Sequence, residues 1–178
     1  MNEFLVKERN KALKKVIVIG CPGSGKSTLS RALAEVTGLP LYHLDMMYWN
    51  EDKTTVGREV FLARLNEAML GDRWIIDGNY QSTLEMRIKE CDKIILLDYP
   101  TEVCIQGAVS RIGRVRGDIP WTESKLDSQF EKEIREFKTK RLPQIYLLLD
   151  KYSGEKSVTV LRSREQADEY VESIKITR

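Results

Sequence analysis

The sequence predicts an α/β chain, a five-stranded parallel sheet with helices on both faces, from three observations. Short runs that are apolar on both faces, such as Val16–Ile19 and Ile94–Leu97, alternate with amphipathic helical patterns. The first run leads straight into Gly20-Cys21-Pro22-Gly23-Ser24-Gly25-Lys26-Ser27-Thr28, which satisfies G-x-x-x-x-G-K-[ST] between a strand and a helix. Several runs also close on an aspartate, at Asp45, Asp77 and Asp98, and ligands of open α/β sheets gather outside the carboxyl ends of the strands.

Each element follows from its own residues. The first strand is Val16–Ile19; Leu29, Ala32, Leu33 and Val36 then recur at helical spacing until Gly38 and Pro40 end that helix. Leu39–Asp45 reads as a short second strand, followed by Met46-Met47-Tyr48-Trp49. After a polar turn at Lys53–Gly57, Phe61, Leu65, Ala68 and Met69 lay one apolar stripe on a helix that Gly71 ends. Arg73–Gly78 is the third strand, Leu84–Glu90 a helix, and Lys93–Asp98 a fourth strand that Pro100 terminates. A helix over Glu102–Ile112 delivers Arg111, Arg114 and Arg116 into a segment with Gly113, Gly117 and Pro120, read as a mobile lid over about 111–122. Leu126, Phe130, Ile134, Phe137, Ile145 and Leu148 trace a long amphipathic helix, bent near Pro143 because proline lacks a backbone donor. Val158–Leu161 is the fifth strand, and Ser163 with Gln166 forms a capping box opening the last helix.

Composition narrows the classes. At 178 residues the chain is most simply one domain, 1–178, able to bury its core without metal or disulfide. Cys21, Cys91 and Cys104 are scattered, with no C-x-x-C pair and no secretory signal, which suits a reducing cytoplasm; Cys21 itself reads as a spacer in the loop. No stretch spans a membrane, and the sequence fixes no oligomeric state. A net charge of +2 carries no polyanion-binding field. The cluster Lys7, Arg9, Lys11, Lys14 and Lys15 is short and lacks interleaved aromatics, so it reads as a solvated leader; direct nucleic-acid binding is not expected.

The chemistry begins at the loop. Backbone N–H groups around Gly20, Gly23, Ser24 and Gly25 turn inward on an anion, and a side chain at Gly23 or Gly25 would block that approach. Lys26 reaches the outer phosphates, Ser27 ligates Mg²⁺, and Thr28 continues into a helix whose N-terminus faces the anion. The strand-end acids divide: Asp77 either holds Mg²⁺ through water or caps its strand, Asp98 reads as a cap before the helix at Thr101, and Asp45 faces a phosphate acceptor. No N-K-x-D guanine motif follows, and none of these acids precedes a water-activating glutamate, so a GTPase or motor-type ATPase is excluded. A small-molecule kinase needs neither. Its catalysis is positioning plus charge neutralisation, which Arg111, Arg114 and Arg116, with Arg135 or Arg141 on the next helix, would supply unless they form a solvated face. His43 reads as strand packing, Tyr42 as core, and Trp49 as a wall of the acceptor pocket.

Together, residues 20–28, Trp74-Ile75-Ile76-Asp77-Gly78-Asn79-Tyr80, Asp98-Tyr99-Pro100 and the arginine segment resemble the adenylate-kinase-like P-loop kinases. More narrowly, His43-Leu44-Asp45 followed by Tyr48-Trp49, with Asp77–Tyr80, resembles the bacterial topology modulation proteins. The resemblance implies the P-loop NTPase fold, ATP bound with Mg²⁺, a lid closing over the phosphates, and the adenine near Arg111 and the loop at Arg162 and Ser163. Adenylate kinases carry Phe-Pro-Arg after Asp-Gly, where this chain has Asn79-Tyr80-Gln81; Arg87 is the substitute on offer for the missing arginine. Asp45 is similar to the strand-two acid that meets a substrate hydroxyl in shikimate- and gluconate-type kinases. Two classes stay open: an ATP-dependent kinase of a small-molecule acceptor, and a regulatory protein that binds ATP without turnover and affects DNA topology indirectly.

Overall fold

A computed structural model describes residues 13–176; Lys7, Arg9 and Lys11 of the basic leader lie outside them. Strand β1, Lys15–Gly20, is the middle of the sheet because Val16 to Ile19 are wholly buried and must be covered on both faces. Around it stand β2 (Leu41–His43), β3 (Trp74–Asp77), β4 (Lys93–Leu97) and β5 (Ser157–Leu161), in the order β2-β3-β1-β4-β5, all parallel. β3 and β4 are buried throughout, whereas the edge strands β2 and β5 are partly exposed. The order reverses direction at β1, so the crevice beyond its carboxyl end is where a ligand belongs.

The connecting helices are α1 (Lys26–Thr37), α2 (Leu44–Tyr48), α3 (Arg58–Met69), α4 (Gln81–Glu90), α5 (Thr101–Val109), α6 (Ser128–Glu136), α7 (Leu142–Tyr152) and α8 (Arg164–Ile176). Three boundaries differ from expectation. β2 stops at His43, so Asp45 sits in the first turn of the short α2 and not at a strand end. α5 ends at Val109, which leaves Arg111 beyond the helix, at the start of the connection to α6. The helix expected to kink at Pro143 instead carries a π-helical turn over Phe137–Arg141. Pro143 then falls in the first turn of α7, where a missing N–H leaves no bond unmade. The α8 cap also differs slightly: Gln166 N donates to Ser163 Oγ at 3.3 Å, but Gln166 Oε1 accepts from Arg162 N at 2.7 Å, one residue earlier than in a capping box.

The loop from β1 to α1 is seated on α5, backbone against backbone. A Cβ at Gly23 would lie 2.0 Å from the Cys104 carbonyl oxygen, and one at Gly107 would lie 2.0 Å from the Gly23 carbonyl oxygen. Gly23 is therefore required for a reason beyond the one the motif suggests, because it makes room for a helix as well as for an anion. A Cβ at Gly117 would meet nothing within 4 Å. Gly107→Ala should therefore destabilise the fold by roughly 1–3 kcal/mol through overpacking, while Gly117→Ala leaves it nearly unchanged. Urea unfolding of both variants checks this, and equal midpoints would show that loop and helix are not in contact.

Candidate active site

The loop is pinned at both ends. Gly20 N donates to Asn79 Oδ1 at 3.0 Å, tying β1 to the segment after β3. Gly25 sits at φ +96°, in the left-handed region, and starts α1 without a side-chain cap. The first N–H groups of α1 are thus left without a capping side chain, as an anion site requires. Lys26 is half-buried and curls back so that Nζ donates to the Cys21 carbonyl at 3.1 Å. Burial pulls its pKa down, and the charges of Asp77 and Asp45 oppose that pull. The Ser24 hydroxyl is buried with no partner.

Two of the three acids face this loop. The register His43↔Asp77 puts both side chains on one face of the sheet, and His43 Nδ1 pairs with Asp77 Oδ1 at 2.9 Å. His43, expected merely to pack, is therefore the partner that orients Asp77. The other oxygen, Asp77 Oδ2, is buried without any partner. Asp45 Oδ1 accepts the Tyr80 hydroxyl at 2.7 Å. Burial pushes the Asp45 carboxyl up, with Tyr80 and Lys26 drawing it back in part. Asp98 is drawn elsewhere, to the Tyr146 hydroxyl at 2.8 Å and Arg162 Nη1 at 3.1 Å.

That last contact corrects an expectation. Arg162 is exposed and held on Asp98, outside the cleft lining; Arg164, in the first turn of α8, lines the cleft instead. Arg87 is corrected as well. It is wholly buried, and Nη1 donates to the Gly78 carbonyl at 2.9 Å, with Nη2 on the carbonyls of Asn79 and Tyr80 at 2.5 and 3.3 Å. Its pKa is lowered by burial to about 10. With its guanidinium spent on backbone, Arg87 offers nothing to a phosphate; it holds the turn in which Tyr80 adopts φ +30°. Arg135 pairs with Glu131 on its own helix and does not line the cleft, whereas Arg141, on the π-helical turn, does.

The arginines after α5 meet acids that sequence reading did not single out. Arg111 Nε stands 3.1 Å from Glu123 Oε2, and its guanidinium lies over the Phe130 ring at 5.2 Å. Arg116 reaches Glu123 at 2.8 Å and grips both oxygens of Asp118. Asp118 is only 2% exposed and has Arg31 at 3.8 Å. Burial pushes its carboxyl up, but the Arg116 guanidinium on both its oxygens, helped by the nearby Ser27 hydroxyl, wins and holds it at about 2. No motif marks Asp118; its only signal is an acid two residues from Arg116.

These groups share one open cleft of about 1610 Å³. Ser24, Lys26, Ser27, Asp77 and Arg164 line it, as do Gly23, Gly25 and Thr28. Asp45, Tyr48, Trp49 and Tyr80 line it too, and Trp49 meets Trp121 edge-on at 5.5 Å. Tyr42, by contrast, packs against the core.

No family model matches the chain, and no curated protein is similar to it in sequence. Solved structures are similar in fold. The shikimate kinase from Acinetobacter baumannii, solved in complex with shikimate, is 20% identical, with 91% of this chain and 90% of that one covered and a TM-score of 0.59. A gluconokinase from Sinorhizobium meliloti 1021 is 15% identical over 94% and 92%, with a TM-score of 0.56. The shikimate kinase from Bacteroides thetaiotaomicron is 18% identical over 93% and 98%, with a TM-score of 0.56. The fold is thus the all-parallel α/β fold of shikimate-kinase-like P-loop proteins, and these likenesses lend no support to a place among the topology modulation proteins.

Because the native pKa of Asp118 lies below its unfolded value, the stability it contributes is present above about pH 4 and is lost as pH falls through about 2. The gap in unfolding free energy between the wild type and Asp118→Asn should therefore narrow by up to about 2 kcal/mol between pH 6 and pH 2. Urea denaturation across that range measures it, and a gap that does not change with pH would place Asp118 outside the ion cluster.

Proposed function

We propose that the protein is an ATP-dependent small-molecule kinase that transfers the γ-phosphoryl group to a hydroxyl acceptor. The observation that carries this is the opening of the phosphate-binding loop and of Asp45, a carboxyl with raised pKa, into the same cleft. The fold similarity to kinases named for shikimate and gluconate supports the reading. A phosphate acceptor of the AMP type has less support, because Arg87, the substitute for the missing phosphate-binding arginine, is buried on carbonyls.

In this reading Gly20, Gly23, Ser24, Gly25 and Thr28 frame the phosphates, and Lys26 leaves the Cys21 carbonyl to meet them. The residues present suit Mg²⁺: Asp77 Oδ2 is buried and unpartnered, and Ser27 lines the same cleft. The ion would be held by one hydroxyl, one acid and the nucleotide itself. Bound there, Mg²⁺ supplies positive charge against the phosphates. His43 keeps Asp77 turned toward that position. Asp45 takes the proton of the acceptor hydroxyl, its raised pKa making it a better base, and Tyr80 fixes the carboxylate in place. Arg111 and Arg116 exchange their lid acids for phosphate oxygens, and Arg141 adds charge from the rim. The base of the nucleotide lies toward Arg111 and the start of α8, where Arg164 takes the place first expected of Arg162. No helix among the described residues is long and apolar enough to cross a membrane; three free, buried thiols suit a reducing cytoplasm. The narrower likeness to topology modulation proteins rests on His43–Asp45 and Asp77–Tyr80.

Screening ATP consumption against small hydroxylated compounds tests the proposal. ADP formed in proportion to one acceptor is expected, and acceptor-independent binding without ADP would favour a regulatory nucleotide-binding protein. Lys26→Ala should severely weaken Mg-ATP binding with the apo fold intact. Asp45→Asn should cut acceptor-dependent turnover by ~10²–10⁴ while leaving Mg-ATP affinity nearly unchanged, and Asp77→Asn should raise the Mg²⁺ requirement. Calorimetry with turnover assays reads both acids; loss of ATP affinity in Asp45→Asn, with normal metal dependence in Asp77→Asn, would reverse their roles.

A further inference from the structure

The part of the cleft beyond Asp45 has walls of a particular kind. Tyr48 meets Tyr80 at 5.0 Å and Trp49 at 5.2 Å, both edge-on, so the rings brace one another and stand as fixed walls beside the Asp45 carboxylate. Among the described residues, no buried cation is free there. Arg87 is buried on backbone carbonyls. Arg111 and Arg116 are matched by Glu123 and Asp118 and, on the kinase reading, are committed to the nucleotide phosphates, while Lys26 belongs to the phosphate loop. Arg31 and Arg114 are exposed at the rim, where solvent screens them. An acceptor carboxylate or phosphate would meet Asp45 and Asp77 with no unpaired buried cation among the described residues to balance its charge, next to the phosphates of the nucleotide.

Resting on the kinase reading above, we propose that the acceptor is an uncharged, hydroxylated ring compound of the sugar or nucleoside class, held with one face against Trp49 and Tyr48 and one hydroxyl on Asp45. Aromatic faces suit the C–H face of a sugar or the plane of a base, and a carboxylate accepting from the hydroxyl suits a neutral alcohol. The transfer balances: the acceptor oxygen bonds to the γ-phosphorus, the bond from that phosphorus to the β–γ bridging oxygen breaks and leaves ADP, and the hydroxyl proton goes to Asp45.

The test pairs neutral compounds with anionic counterparts of similar size: glucose with gluconate, a nucleoside with its monophosphate, and shikimate as a further acid. Two readouts are taken, ADP release with Mg-ATP and quenching of tryptophan fluorescence in the presence of Mg-ADP. A neutral member is expected to exceed its anionic partner by about a hundredfold in kcat/KM or in affinity. Trp49→Phe is expected to preserve that preference, and Trp49→Ala to raise KM for the neutral acceptor roughly threefold to tenfold without moving Mg-ADP affinity. Gluconate, shikimate or a monophosphate used as well as the neutral partner would overturn the proposal. If no compound yields ADP, the kinase reading fails, and the fluorescence titration still decides the class of ligand. Tight binding of the acids alone, or of nothing in either set, overturns it.

Discussion

The contact on which the rest of the cleft depends is the approach of the main chain at Gly23 to the main chain of α5. Neither Gly23 nor Gly107 has room for a Cβ at this contact, so the two together set how far the phosphate loop stands from the helix. α5 runs on directly to Arg111, which means that one contact fixes both the anion cradle and the root of the arginine segment. β1 supplies the other anchor, through Gly20 and its bond to Asn79.

A second dependence runs through Arg87. A guanidinium without a carboxylate is costly to bury, and the carbonyls of Gly78, Asn79 and Tyr80 are what compensate it. In return those carbonyls hold Tyr80 in a left-handed conformation from which its hydroxyl reaches Asp45. The base candidate is thus positioned by a residue that never enters the cleft. Asp77 is treated similarly, with His43 delivered to it by the register of the edge strand β2.

The strands and the loop were legible because each is written in consecutive residues: apolar runs dictate buried parallel strands, and the loop spacing dictates the anion cradle. What was not legible is settled through space. Asp45 reads as a strand end, yet Leu44 already starts a helix that buries it fully, and the acid follows into its first turn. Arg162 and Arg164 are two residues apart with similar promise, but Asp98 at the end of the neighbouring strand claims the first. Asp118 carries no motif, and although Arg116 beside it is local, its other cationic neighbour, Arg31, stands far back in the chain, where only folding brings it near. Pro143, expected to bend a long helix, instead falls in the first turn of α7 behind a π-helical turn, where its missing N–H leaves no bond unmade.

The pairing of Arg111 and Arg116 with Glu123 and Asp118 has a consequence for how a ligand arrives. Cations neutralised at close range project little potential beyond the rim, and a chain with net charge +2 adds no long-range field of its own. An anionic nucleotide, the ligand proposed above, would then be steered little by these two arginines as it enters the open cleft. Under the proposed function these two arginines would be released only after entry, when phosphate oxygens replace the carboxylates, so their charge would serve retention more than capture.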